Sequence, residues 1–189
     1  MPERLEGNIY IGKVEDILAG MQAAFINIGY EKNGLAHFVD ILPKVDITKD
    51  NKIEKDLAKK IIKEKLIKGN KILVQVKKDS TQTKGARLTT HISLVGKYLV
   101  LMPESEIITI SQKITNQEEK ERLKLLIKQK LPRDYGVIIR TAALGKKTEE
   151  IIKDLNNLLK RWDIVKKRYT EETEFPKLIE ENNNIVNKI

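Results

Sequence analysis

Hydrophobic positions alternate with polar ones over the first forty residues, and the period then changes. Ile9, Ile11, Val14 and Ile17 mark a strand over residues 8–17, Gly20 makes a turn, and residues 23–28 form a second strand that ends at Gly29. Asn33-Gly34 is a turn signal, and residues 35–38 follow as a short third strand. Short strands with glycine at the corners describe a small barrel. Residues 44–68 interrupt it: Ile53, Leu57, Ile61 and Leu66 recur near helical spacing and predict a helix. Gly69-Asn70 turns the chain into a strand over 71–76, a polar loop covers 79–83, and the β-compatible Leu88, Thr89 and Thr90 close the barrel.

From residue 91 onward the texture changes. After Gly96 an apolar strand covers 98–102 and stops at Pro103, which cannot donate to a sheet ladder. Residues 107–110 form another strand. Thr115-Asn116-Gln117-Glu118 reads as a capping box for a helix to about Lys130, with Leu123, Leu126 and Ile127 on one face and Pro132 ending it. Residues 135–142 make a strand whose Val-Ile-Ile centre is expected to be buried. Gly145 breaks it, and Thr148 caps a long helix to about Tyr169. Its Ile151, Leu155, Leu158, Leu159, Trp162 and Val165 form one apolar stripe, a core face rather than a ligand box. Strand, helix, strand, helix after an all-β half argues for two units. Pro176 and Asn182-Asn183-Asn184 mark an extended tail, with Ile185 and Val186 in one last strand.

A chain of 189 residues can bury one large core or two small ones. No apolar run approaches the roughly 18 residues that span a bilayer, and the start lacks the order of a signal peptide. Without cysteine there is no disulfide framework, and two histidines alone argue against a zinc site. A cytoplasmic address fits. The net charge of +9 points to a polyanionic partner. However, 29 of the 36 basic residues are lysine, which base composition of a genome can also produce, so charge alone does not decide. Residues 44–79 hold twelve lysines against six acids, and lysines around a helix serve as a solvated face as readily as an RNA contact.

The most informative stretch is Lys84 to Pro103. It opens on a basic glycine turn (Lys84, Gly85, Arg87), and it offers backbone N–H groups beside cations and hydroxyls, the chemistry of holding phosphate. Its Lys-Gly-Ala-Arg-Leu-Thr-Thr, Ile-Ser-Leu and Tyr-Leu-Val-Leu-Met-Pro runs resemble the ribonuclease E/G family at the family's spacing. Two further blocks agree: Gly7-Asn8-Ile9-Tyr10-Ile11-Gly12-Lys13-Val14 with Ala23-Ala24-Phe25, and Ile138-Ile139-Arg140-Thr141-Ala142-Ala143. The resemblance runs from about Gly7 to Val186. It implies an α+β chain: an OB-type barrel of the ribosomal S-one kind over 7–90, with a helical insertion at about 50–68, then a small α/β subdomain over 91–186 that senses the RNA 5′ end.

The same resemblance assigns roles. Phe25 stands where such barrels stack a base, although an isolated phenylalanine is ordinarily core. The second aromatic of the family is Leu35 here, which cannot stack. His37 sits where many S-one barrels use histidine, and a lone histidine is as readily structural. In the family the lysine of Lys-Gly-Ala contacts RNA, a role the resemblance carries over to Lys84 and extends to its neighbour Arg87, and Lys13 matches the family's basic residue of the first strand. Arg140 and Thr141 match the pair that binds a terminal monophosphate, with backbone near Gly96 and Val100 enclosing the first nucleotide; a fork and a hydroxyl suit phosphate oxygens. Unplaced, such an arginine would more simply pair with an acid.

No catalytic set is visible. In the family, hydrolysis depends on Mg²⁺ held by aspartates in a later deoxyribonuclease-like domain, and a cysteine pair binds Zn²⁺ between protomers of a homo-oligomer; neither motif occurs in these residues. The chain therefore reads as an excised portion of an endoribonuclease of RNA processing and decay, rRNA processing included. That portion would be inactive alone, without cofactor, and would bind single-stranded, 5′-monophosphorylated RNA. A stand-alone S-one module of translation or ribosome biogenesis is the alternative.

Overall fold

The computed structural model describes residues 4–41 and 54–182, and the chain divides into two compact units. The first joins the residues up to His91 with those from Arg168 onward; the second runs from Ile92 to Lys167.

In the first unit β1 (Ile9–Leu18), β2 (Ala23–Asn27) and β3 (Gly34–His37) form an antiparallel meander. Helix α1 (Lys55–Glu64) follows, then β4 (Lys71–Lys78) and β5 (Arg87–Thr89). β5 pairs parallel to β3 and antiparallel to β4, and β4 returns to β1, so five strands close on themselves. This is the small barrel that the alternation predicts, of the OB type that the resemblance implies. Val14, Ile26, Ala36, Val74 and Leu88 are fully buried inside it, and α1 adds Ala58 and Ile61 to the same core. The insertion helix thus falls within the expected 50–68, whose first residues, up to Ile53, lie outside the described residues.

Closure depends on two glycines. A Cβ on Gly34 would stand 2.4 Å from Leu88 Cδ1, and one on Gly85 would stand 1.9 Å from the Asn33 carbonyl oxygen. Their missing side chains let the loop before β5 press against the start of β3, where Leu35 N–H donates to the Ala86 carbonyl at 2.8 Å. Buried Asp40 ties the seam from the other end. Its carboxylate accepts from Lys77 Nζ and from Arg87 Nη2, each at 3.2 Å, and its carbonyl accepts from the hydroxyls of Thr89 and Thr90.

The second unit has a four-stranded sheet of β6 (Leu94–Val95), β7 (Leu99–Met102), β8 (Ile108–Ile110) and β9 (Gly136–Ile139), in the order β6-β7-β9-β8. β8 and β9 are parallel, and the other pairs are antiparallel. α2 (Gln117–Lys130) and α3 (Thr148–Glu171) supply the helical layer, Leu123 and Ile127 from one and Ile151, Leu155, Leu158, Trp162 and Val165 from the other. Three local expectations change. Asn116, not Thr115, caps α2, accepting from Glu119 N–H at 3.0 Å. Thr148 is the first helical residue of α3 rather than its cap. Within Val137-Ile138-Ile139 the middle residue is exposed, because a period of two sends it to the open face of the sheet.

The larger correction concerns the tail expected in the second unit. β10 (Lys177–Glu180) pairs antiparallel with β1, Ile9 opposite Glu180, and so belongs to the barrel unit. Lys71 Nζ donates to the Glu172 carbonyl at 2.9 Å and lies 4.7 Å over the Tyr169 ring; Tyr169 in turn donates its hydroxyl to the Lys71 carbonyl. Burial raises the pKa of that hydroxyl. Asn182 N–H closes the return on Asn8 Oδ1 at 2.8 Å. The strand expected at Ile185 and Val186 lies outside the described residues.

The barrel seam gives a stability test. Gly85→Ala should lower the stability of the first unit by about 1–3 kcal/mol, the usual cost of overpacking, read as a lower urea midpoint at unchanged slope. A midpoint equal to wild type would mean that the Asn33 turn yields freely.

Candidate nucleic-acid interface

Two groups of residues emerge, one in each unit. In the barrel, paired positions share a face, so strand register decides which side chains can meet one ligand. Lys13 pairs with Asn27, Phe25 with Leu35, Leu35 with Arg87, and Ala23 with His37. Lys13, Phe25, Leu35, His37 and Arg87 lie on the outer face, because the alternating neighbours Val14, Ala24, Ile26, Ala36 and Leu88 are fully buried in the core. Phe25 is half-buried and stands outside the hydrophobic core, beside Leu35 and not beside a second ring. Lys13 and His37 are likewise half-exposed on this face.

Lys84 is exposed in the loop that Gly85 presses onto Asn33, its N–H held by Thr81 Oγ1 at 3.1 Å. Arg87 differs from the other cations. Its Nε and Nη2 both donate to Asp40 Oδ2, so much of its fork is already engaged within the barrel.

The second group gathers at one edge of the smaller sheet. Because β8 and β9 are parallel, their C-terminal ends deliver Ser111, Arg140 and Thr141 to the same edge, and the antiparallel β7 brings the Gly96–Tyr98 turn there. Arg140 Nη1 donates to the Gly96 carbonyl at 2.5 Å and to the Lys97 carbonyl at 3.3 Å, while its N–H donates to the Tyr98 carbonyl at 2.8 Å. No carboxylate pairs with Arg140 among the described residues, and its Nε and Nη2 carry no hydrogen bond to them. The hydroxyls of Ser111 and Thr141 lie 2.7 Å apart. Val100 pairs with Ile138 on the open face beside this edge. The loop that follows is pinned by Arg122, which donates to the Lys146 carbonyl at 2.9 Å. The same guanidinium hydrogen-bonds Glu119 and holds its carboxyl below the usual range.

Asp154 is the residue that the hydrophobic pattern does not reveal. It projects from the buried stripe of α3 and is only 7% exposed. Its Oδ1 accepts from Lys97 N–H at 3.0 Å, and its Oδ2 from the N–H groups of Tyr98 and Leu99 at 2.9 and 3.1 Å. A Cβ on Gly96 would stand 2.6 Å from both carboxylate oxygens, so only glycine fits there. Ser111 likewise carries no signal in the sequence, because an isolated Ile-Ser is silent until the parallel pairing places it beside Thr141. Among the described residues no group of three or more histidine, aspartate or glutamate side chains is placed to hold a metal ion.

Fold and site together define a closed OB-type barrel followed by an α/β unit with a cationic, hydroxyl-bearing sheet edge. Residues 93–189 match the model of the Ribonuclease E/G family. The chain is 42% identical over 162 residues to Ribonuclease G of Haemophilus influenzae, covering 86% of this chain and 33% of that protein. It is 41% identical over 162 residues to Ribonuclease G of Escherichia coli K12, with the same shares, and 38% identical over 184 residues to Ribonuclease E of Nostoc sp., covering 97% of this chain and 25% of that one. The chain belongs to the ribonuclease E/G family, and it spans about a quarter to a third of the length of these relatives.

The Asp154 turn can be tested directly. Hydrogen bonds to charged groups contribute about 1.5–3 kcal/mol each, and the three here share one carboxylate. Asp154→Ala should destabilise the second unit by about 2–4 kcal/mol, with faster hydrogen exchange at the amides of Lys97, Tyr98 and Leu99. Unchanged exchange at those three amides would show that the turn holds itself.

Proposed function

We propose that this chain is the RNA-gripping and 5′-end-sensing part of a ribonuclease E/G-type endoribonuclease that acts in RNA processing and decay. The barrel's outer face would hold single-stranded RNA, with Phe25 stacking on a base and Lys13 and Lys84 meeting phosphates. The edge formed by Arg140, Thr141 and the Gly96 turn would take the 5′-terminal monophosphate, with Val100 beside the first nucleotide. Arg140 carries this reading: its Nη1 is anchored on two carbonyls, no acid neutralises it among the described residues, and a hydroxyl pair stands at the same edge. That is an arginine held in position with its charge available.

The hydrolytic step belongs, in this reading, to a Mg²⁺-dependent domain outside these 189 residues. A cytoplasmic address and a homo-oligomeric whole enzyme go with the proposal. Among the described residues no helix is long and apolar enough to cross a membrane.

The decisive comparison uses two labelled oligonucleotides that differ only in a 5′-monophosphate or a 5′-hydroxyl. Leaving a charge-bonding group unpaired costs on the order of 1–3 kcal/mol, so the monophosphate should bind about ten to a hundred times more tightly. Arg140→Ala should erase that difference while preserving binding to the 5′-hydroxyl strand, and Arg140→Lys should restore only part of it, since an ammonium lacks the fork. Equal affinity of the wild type for both ends would remove the sensor assignment. For the barrel, Phe25→Ala should weaken binding of both oligonucleotides by about 1–3 kcal/mol without changing the salt slope. Unfolding of the barrel in that variant would instead make Phe25 a structural residue.

A further inference from the structure

The first unit contains a groove of about 910 Å³ between α1 and the outer barrel wall, within the size range of small-ligand sites. One wall is helical: Lys55, Ala58, Lys59 and Ile62 recur at i, i+3, i+4 and i+7, a single face of α1. The facing wall carries His37, Val39 and Arg87, and both histidines of the chain, His37 and His91, line the space. Among the described residues the acid in the lining is Asp40, whose carboxylate oxygens already accept from Lys77 and Arg87. The described lining includes apolar Val39, Ala58 and Ile62 together with the cationic Lys55 and Lys59 on the same helix face. An apolar strip edged with cations complements a nucleobase with its phosphate. The groove also continues the face already described, since Arg87 pairs with Leu35, which pairs with Phe25, and His37 lies two residues farther along β3.

We propose that this groove is an RNA subsite which seats one nucleotide of the bound single strand, its base against the apolar strip and its flanking phosphates on Lys55 and Lys59. The insertion helix then becomes a second wall of the RNA path rather than a solvated face. The proposal rests on the RNA-binding reading above and assigns α1 a part in it. The sequence hid this, because twelve lysines over residues 44–79 look uniform. Only the helix phase separates Lys55 and Lys59, which face the groove, from Lys60 and Lys63, which are exposed and do not line it.

That phase supplies the experiment. Two double variants of the full 189-residue chain carry the same change in net charge: Lys55→Glu with Lys59→Glu, and Lys60→Glu with Lys63→Glu. Binding of a labelled, unstructured 5′-hydroxyl RNA is titrated at several salt concentrations. The groove pair should weaken binding at least about tenfold and flatten the plot of log affinity against log salt by about 1.4 units, the loss of two single-strand phosphate contacts. The outer pair should change affinity less than about threefold, a long-range effect that salt screens. If the groove pair fails to fold, Lys55→Gln with Lys59→Gln should still flatten the slope. Equal losses in both pairs would mean that α1 acts through net charge alone, and no loss in either would remove the helix from the RNA path; each result overturns the subsite while leaving barrel binding intact. A wild-type chain that binds no RNA overturns the RNA-binding reading and the subsite together.

Discussion

The carboxylate of Asp154 fixes the geometry on which the smaller unit depends. A helix packed on a sheet through an apolar stripe can slide or rotate at modest cost, because dispersion contacts are not directional. Three hydrogen bonds from consecutive backbone amides to one carboxylate are directional. They lock the phase of α3 to the start of β7, and they require residue 96 to be glycine. Everything at the sheet edge follows from that turn. The Gly96 and Lys97 carbonyls point where Arg140 Nη1 can reach them, and the Tyr98 carbonyl receives the Arg140 amide. A buried carboxylate is costly to desolvate, and here amide dipoles rather than a cation compensate it. Among the described residues no acid pairs with Arg140, so the arginine at the edge is not consumed in neutralising one.

Asp40 does comparable work in the barrel by the opposite means. It is equally buried, but two cations compensate it, one from β4 and one from β5. The barrel seam is thereby closed with side chains that also border its outer face. Arg87 is therefore a dual residue, and its loss would strand a buried charge as well as remove a surface cation, which makes its substitution a poor probe of binding alone. Lys13 and Lys84, which carry no such duty, report on the face more cleanly.

What the sequence reveals is whatever apolar periodicity encodes. The strands around Val14, Ile26 and Val74 and the stripes of α2 and α3 stand where their spacing predicts, because burial of apolar groups selects one phase of each element. The remainder depends on interactions without a period. β10 has only Leu178 and Ile179 as apolar residues, and backbone pairing with β1 together with the Asn8–Asn182 bond brings it to the barrel, so a chain read by hydrophobicity assigns it to its neighbour in sequence. Asp154 sits inside an apolar stripe, where the pattern sees only a polar interruption. Arg140 and Thr141 are legible through resemblance to known sequences, not through periodicity, and it is the parallel pairing of β8 and β9 that sets them on one edge with Ser111.

The two units hold cations of different physical character, and this bears on how the proposed grip and the proposed sensor would divide their work. A lysine is a hydrated point charge on a flexible stem, and ordering that stem costs up to about 2 kcal/mol of rotamer entropy. Contacts of that kind are tolerant of position and strongly weakened by salt. They suit a surface that must accept any sequence and release it. An arginine whose Nη1 is already bonded to two carbonyls has met much of its ordering cost during folding, so its remaining donors meet a phosphate with little further loss. Its selectivity comes from the number and direction of donors, which salt screens far less than it screens an exposed charge. In the proposed reading, then, the barrel sets how strongly RNA is held under given ionic conditions, and the sheet edge sets which 5′ end is preferred among the strands so held.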